Sequence, residues 1–479
     1  MSRNRYLVIT VVFMACAAAA ADAVYMANGI KMGEVTPDSV LVWTRLTRAA
    51  ERNADGAPFP EVAGKERAGG DLSVTDIMGG RALEEMEGAA PGAPGLVRVT
   101  YWPEEAPESK VQSDWQAVDE ARDYTRQFPL TGLNPGTGYV ALVEGKPVAD
   151  GEVTCRVEGR FRTAPLPEEP AEVNFVVVTC GDYPRRDDPD RGHKIYDAML
   201  KLDPDFFVHT GDIEYYDKAL PWGPAPELAR FKWNRFYAMP FQRTFHRNVA
   251  SYFMKDDHDT LMNDCWPGQR YGALTWEQGL VLFREQAPVG EKPYRTFRWG
   301  KDLQIWLVEG RDFRSPNTMR DGPDKSIWGP EQKAWFKRTV QESDATFRVL
   351  ISPTPLVGPD RENKNDNHAN EGFAHEGKEL RQFMAARGNM IVINGDRHWQ
   401  YVSVDDDTGL REFGTGPHSN EHASGWKQGD VRPEHRYLKL QGGFLQVNVT
   451  WEEGTPKMIL RHRDVEGTVC NEVTLPDPK

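Results

Sequence analysis

The sequence predicts an α/β fold of layered sheets and helices, preceded by a β-sandwich. Three observations carry this. Residues 24–166 read as alternating strands separated by Pro/Gly turns. A proline-stiffened stretch, RTAPLPEEPAE at 162–172, then interrupts the pattern as a linker. Beyond it, in residues 167–479, strands alternate with helices, and strand after strand ends in a charged loop.

The chain has 479 residues, 39% apolar and 27% charged, which gives ample core for two domains. Its 58 Lys+Arg against 72 Asp+Glu leave a net charge of −14. Such a surface repels polyanions and argues against a nucleic-acid partner. An anionic small-molecule substrate would need a local override of that field, and a metal centre supplies one.

Residues 1–23 predict an export signal: Arg3 and Arg5 precede an apolar run that ends at Ala21-Asp22-Ala23, a small-x-small cleavage site. The run is short for a membrane anchor. SRNRYLV approaches a twin-arginine signal, with Asn4 splitting the pair, and Phe13-Met14-Ala15 before Cys16 is a poor lipoprotein lead-in. The expected product is exported to the periplasm or the medium and has no transmembrane segment. It keeps Cys155, Cys180, Cys265 and Cys470, an even number that invites two disulfides without any spacing that fixes their pairing.

In chain order, VLVWTRL (40–46) and GLVRVTYW (95–102) alternate as strands, with a Gly/Ala/Glu-rich insertion between them. LTGLNPGTGYVALVEG (130–145) reads as strand, turn, strand. It resembles the tyrosine corner of fibronectin type III-like sandwiches, with Tyr139 at the corner. VNFVVVTC (173–180) is a β-branched strand, followed by a helix at 193–202 and the strand DFFVHTGD (205–212). An aromatic-rich helical region leads to VASYFMKDDHD (249–259). DLQIWLVEG, FRVLISPTP and NMIVING are three further strands, with the helix PEQKAWFKRTV between the first two. The C-terminal segment alternates as a hairpin around Glu453-Gly454.

Four strand ends carry metal-ligand chemistry: Cys180-Gly-Asp182, Gly211-Asp212-Ile-Glu-Tyr215, Asp256-Asp257-His258-Asp259 and Asn394-Gly395-Asp396-Arg397-His398. Any one alone is an ordinary turn signal. Their recurrence, each after an apolar strand, points to one shared centre. Cys180, Tyr215 and His398 with a carboxylate make a mixed soft and anionic donor set for a trivalent or zinc-like ion. Asp257 and Asp396 with a shared Asp212 offer only oxygens, suited to Ca²⁺ or Mg²⁺. One carboxylate bridging two ions is the arrangement of two-metal hydrolysis, in which the ions clamp a phosphoryl group and activate water.

These motifs resemble the alkaline phosphatase D (PhoD-like) branch of the metallophosphatases, relatives of the purple acid phosphatases. The resemblance takes in TCGDY, HTGDIEYYD, KDDHD, GRDFRSP, the WGPEQKAWF helix and INGDRHWQY, together with the N-terminal sandwich. It implies a metallophosphatase-type two-sheet β-sandwich core flanked by helices. It also implies Fe³⁺ on Cys180, Asp212, Tyr215 and His398, and Ca²⁺ on Asp212, Asp257 and Asp396, with Zn²⁺ or Mg²⁺ as substitutes. Asn263 is a further candidate ligand, and Asp182 either binds metal or orients a ligand. VLISPTPLVG lacks the histidine that ordinary members place there, in keeping with an all-oxygen second site.

Among the remaining groups, His258 is the candidate leaving-group acid or phosphate contact, its proton held by the neighbouring Asp257 and Asp259. Arg270, Arg311 and Arg314 are candidate phosphate forks, and Arg270 with Asp212 and His258 makes up the candidate catalytic set. Arg397 is expected in a structural role, and His418 and His422 on a Gly-rich rim loop. The implied function is an exported metal-dependent phosphoesterase acting on small phosphate esters, monoesters first with some diester activity. Phosphodiesterase or phospholipase D-type specificity is the nearest alternative, and a metal-stabilised binding protein without catalysis is a more distant one.

Overall fold

The computed structural model describes residues 22–60, 71–218 and 220–475. The export segment falls outside the described residues except for its last two positions.

The core is two facing sheets between helical layers. The first sheet has nine strands. Its centre is the parallel trio Val173–Val178, Phe206–His209 and Ala250–Phe253, with Val178 beside His209 and His209 beside Phe253. The expected hairpin, Phe444–Glu452 with Thr455–Arg463, joins one side of the trio, and Val469–Leu475 closes that edge. The second sheet has seven strands around Leu303–Leu307, Phe347–Ser352 and Met390–Asn394, also mutually parallel, with Ser352 beside Asn394. Matched registers bring the carboxyl ends of both trios to one rim.

Side-chain period decides the layers. Phe175, Val177 and Val208 point inward against Ile305, Val349, Ile351 and Ile393 of the facing sheet. Val176, Val178 and Phe207 point outward, under the helices Pro226–Tyr237, Pro240–His246 and Trp276–Gln286. On the far side Trp306, Leu350 and Val392 meet the helices Gly329–Glu342 and Ala374–Arg387. Strands buried on both faces account for the continuous apolar runs in the sequence.

The N-terminal sandwich forms one sheet from Leu96–Pro103, Gly138–Lys146 and Cys155–Arg162, with two short strands beside it. Tyr139 occupies the corner, where its hydroxyl accepts the backbone N–H of Asn134 at 2.8 Å. The other sandwich sheet, Ile30–Gly33, Ser39–Arg45 and Thr125–Thr131, is not separate from the core. Ile30–Gly33 pairs in parallel with Ala250–Phe253 at Gly33 and Ser251, so these strands extend the nine-stranded sheet. The four described cysteines are all free, and none is paired in a disulfide.

Candidate metal centre

The rim collects the loops that follow five of the six parallel strands. Their backbones are bent hard: Cys180, Asp182, Asp212 and Asp396 all sit at φ between 55° and 84°, in the left-handed region. Such conformations cost energy in residues with a Cβ and persist where surrounding structure holds them. A glycine between Cys180 and Asp182 suggests a turn at Gly181, yet its two neighbours take the left-handed angles. A Cβ on Gly181 would lie 2.5 Å from the carbonyl oxygen of Ile213, so the glycine serves close approach of two loops. Gly395 does the same between the sheets, where a Cβ would meet the hydroxyls of Thr210 and Thr179 at 2.3 and 2.6 Å.

Within this frame Cys180 Sγ lies 3.7 Å from Asp212 Oδ2. The Tyr215 hydroxyl lies 3.4 Å from the same oxygen and 3.3 Å from His398 Nε2. Three groups have ligand atoms close enough to share an ion: Cys180/Asp212/His398, Asp212/Asp257/His258 and Asp212/Asp256/Asp396. Asp212 belongs to all three.

The donors are crowded without a cation to balance them. Burial pushes the Cys180 thiol well above its ordinary pKa, and the Asp212 carboxylate pushes it further. Tyr215 is raised by burial and then by Cys180 and Asp212, and Asp212 by burial and Asp257. A bound cation would reverse each of these shifts. Asp256 Oδ2 and Asp257 Oδ1 are buried without a hydrogen-bond partner, which fits oxygen ligation of a hard ion. The residues present therefore fit a metal centre.

His258 is fastened to a residue the sequence did not single out. Its Nδ1 lies 2.5 Å from Asp217 Oδ1, while Asp217 Oδ2 accepts the Asn263 backbone N–H at 3.0 Å. Burial alone would strip the imidazole of its proton, but Asp217, Asp257 and Asp212 outweigh it and lift the pKa to about 10. Asp259, expected to share that task, faces the other way. It accepts the backbone N–H groups of Asp256 and Ile213 at 2.7 and 3.1 Å, and burial raises it to about 7.

The other candidates spread out. Arg311 donates through Nε to Asp256 at 2.5 Å and sits 3.6 Å from Asp257, so it backs the carboxylates. Arg314 donates to Asn317 and to the Asp366 carbonyl, and burial beside Arg311 lowers its pKa to about 10. Arg270 is exposed on a two-residue strand, and no described contact joins it to the cluster. Asn263 is also exposed and reaches the site only through its backbone. Asp182 is buried, 3.5 Å from Arg185, and belongs to none of the ligand groups. Arg397 pairs with Asp360 at 2.6 Å and with Asp396 at 2.5 Å. His422, from the rim loop, lies with Nδ1 3.0 Å from the Gly181 carbonyl and its ring 4.2 Å from that of His398.

A family model described as "PhoD-like phosphatase" matches residues 175–437, and one described as "PhoD-like phosphatase, N-terminal domain" matches residues 13–165. The chain belongs to the PhoD-like phosphatase family. A solved structure of PhoD is similar over 96% of this chain and 90% of its own, with TM-score 0.69 and 16% identity. The purple acid phosphatase PPD1 from yellow lupin (Lupinus luteus) seeds is similar over 93% and 74%, with TM-score 0.61 and 12% identity. At these identities the two likenesses show the fold. No curated protein sequence matches the chain. As a PhoD-like phosphatase it is a phosphoric ester hydrolase with a metal-dependent site, which removes the reading as a binding protein without catalysis. No helix among its described residues is long and apolar enough to cross a membrane.

Proposed function

We propose that the protein is an exported alkaline phosphomonoesterase that also accepts diesters, with Fe³⁺ and Ca²⁺ as its working metals. The observation that carries this reading is the position of Asp212, one carboxylate common to a sulfur-containing donor set and an all-oxygen one. Cys180, Asp212, Tyr215 and His398 would hold iron, because thiolate and phenolate suit a highly charged ion. Asp212 with Asp256, Asp257 and Asp396 would hold calcium. Bound there, the ions supply charge that clamps a phosphoryl group and lowers the pKa of water.

The chain's own residues supply the rest. Asp217 fixes the His258 ring through Nδ1, and Nε2 carries no protein hydrogen bond among the described residues. Nε2–H would give its proton to the departing ester oxygen as the P–O bond breaks. Arg311 favours the ionised form of Asp257 and orients both Asp256 and Asp257 as ligands, while burial still raises the Asp256 pKa. Export to the periplasm or medium is supported by the Arg3/Arg5 lead and the apolar run behind it. We take residues 24–166 as the sandwich domain, 167–479 as the catalytic domain, and small phosphate esters as the substrate class.

The test is phosphate release from an aryl monoester and an aryl diester by purified protein, with elemental analysis before and after strong chelation. Activity that tracks iron and calcium content supports the proposal. Full activity in metal-stripped protein, or a site filled by two zinc ions, sinks it.

A further inference from the structure

Most cations around the centre are already committed. Arg311 is bound to Asp256, Arg397 to Asp360 and Asp396, and Lys364 to Asp264 at 2.9 Å. Arg185 and Arg361 differ. Among the described residues neither guanidinium donates a hydrogen bond; the nearest carboxylates are Asp182 at 3.5 Å and Asp360 at 3.7 Å. Their side chains are 37% and 30% exposed, so each can meet a ligand from solvent.

Both are held in place by the loops that build the centre. Arg185 ends the short turn Tyr183–Arg185 directly after Asp182, and the preceding Gly181 carbonyl lies 3.0 Å from His422 Nδ1. Arg361 lies across Gly425, where a Cβ would stand 2.9 Å from Nη1, and its guanidinium carbon is 5.6 Å from the Trp399 ring. Gly425 follows Ser424, whose N–H donates to the His398 carbonyl at 3.2 Å. The two arginines thus flank the His398–His422 pair from opposite loops. In a chain of net charge −14, two guanidinium groups that donate no hydrogen bond among the described residues, beside a phosphoester site, call for an anion.

We propose that Arg185 and Arg361 are specificity-determining residues that take a second anionic group of the substrate, a phosphate or carboxylate on the leaving-group side. The scissile phosphate belongs to the centre at Asp212, and neither guanidinium reaches a ligand group there. A planar guanidinium at the rim suits an oxyanion carried further out. This rests on the reading of the centre as a phosphoester site and deepens it. The preferred substrates are bisphosphates or phosphorylated acids over esters with a neutral leaving group.

The test separates binding from turnover. Calorimetry on the metal-loaded full chain compares phenylphosphonate with 4-carboxyphenylphosphonate and 1,4-phenylenebisphosphonate. The wild type should bind the two longer anions about 10-fold or more tightly than the first, as charge-assisted hydrogen bonds are worth. The preference should fall to within about 2-fold in R185Q/R361Q and persist in R185K/R361K, since charge dominates. Tight binding of both longer anions assigns the subsite to any oxyanion; tight binding of the bisphosphonate alone assigns it to phosphate. A wild type without preference, or a preference that survives R185Q/R361Q, overturns the inference. Absent turnover of the matching aryl phosphates alongside an intact binding preference would sink the hydrolase reading and leave this one standing.

Discussion

Asp217 Oδ1 lies 2.5 Å from His258 Nδ1, five positions after the carboxylate common to the three ligand groups. One short loop thus delivers both the carboxylate common to the three ligand groups and the group that holds the His258 ring. Asp217→Ala should lower kcat by about 10-fold or more on alkyl phosphates, and His258→Gln by about 100-fold. Both should lose much less on 4-nitrophenyl phosphate, whose leaving group needs no proton. Steady-state kinetics across a leaving-group series checks this, and an equal loss along the whole series would remove the acid role.

Asp212→Asn should empty the centre, because both donor sets lose their common oxygen ligand. Cys180→Ala and Asp396→Asn should act separately, the first costing the transition metal and the second the hard cation. Elemental analysis of each purified variant reads the difference. Loss of both metals in Cys180→Ala would contradict two distinct sites.

The two sheets approach closely at Gly395. Gly395→Ala puts a methyl group against Thr179 and Thr210 and 2.9 Å from the Pro353 carbonyl oxygen. Overpacking of this kind costs about 1–3 kcal/mol. Urea unfolding should show the loss, and Thr210→Ala in the same chain should restore part of it.

Acid stability should depend on Glu376. It accepts hydrogen bonds from Ser326 and Ile327 and lies 2.9 Å from His368 Nε2. Burial raises its pKa, but His368, Ser326 and Ile327 outweigh it and hold the value down to about 2, from 4.5. A carboxyl depressed on folding stabilises fully above its unfolded pKa and loses that contribution as pH falls through the folded one. The contribution, on the order of 3 kcal/mol, should drain between pH 4.5 and 2. Glu376→Gln should be less stable than wild type at pH 6, and the gap should close toward pH 2. A constant gap would show that the carboxylate's charge is not what matters.

The candidate metal loops were legible because their donor residues sit together at the ends of apolar strands. TCGDY, GDIEYYD, KDDHD and NGDRH each announce donors within a few residues. What stayed hidden depends on distant partners. Asp217 looks like any loop carboxylate until the turn after Tyr215 brings it to His258. Arg311 and Arg314 look like phosphate forks until their buried partners, Asp256 and the Asp366 carbonyl, are seen. Asp256 and Asp257 are adjacent, and only the backbone decides which oxygens face Asp212 and Asp396. The helix Ala374–Arg387 escaped notice because its residues show little periodic separation of apolar and polar faces.

The pairing of Gly33 with Ser251 reaches beyond topology. Removal of residues 1–166 would do more than release an appendage. It would strip Ala250–Phe253 of its neighbour and leave an apolar strand with unpaired N–H and C=O groups open to solvent. The amino-terminal third is thus a splint for the strand that leads to Asp256, Asp257 and His258. Modular swapping of this third between relatives would have to preserve that seam.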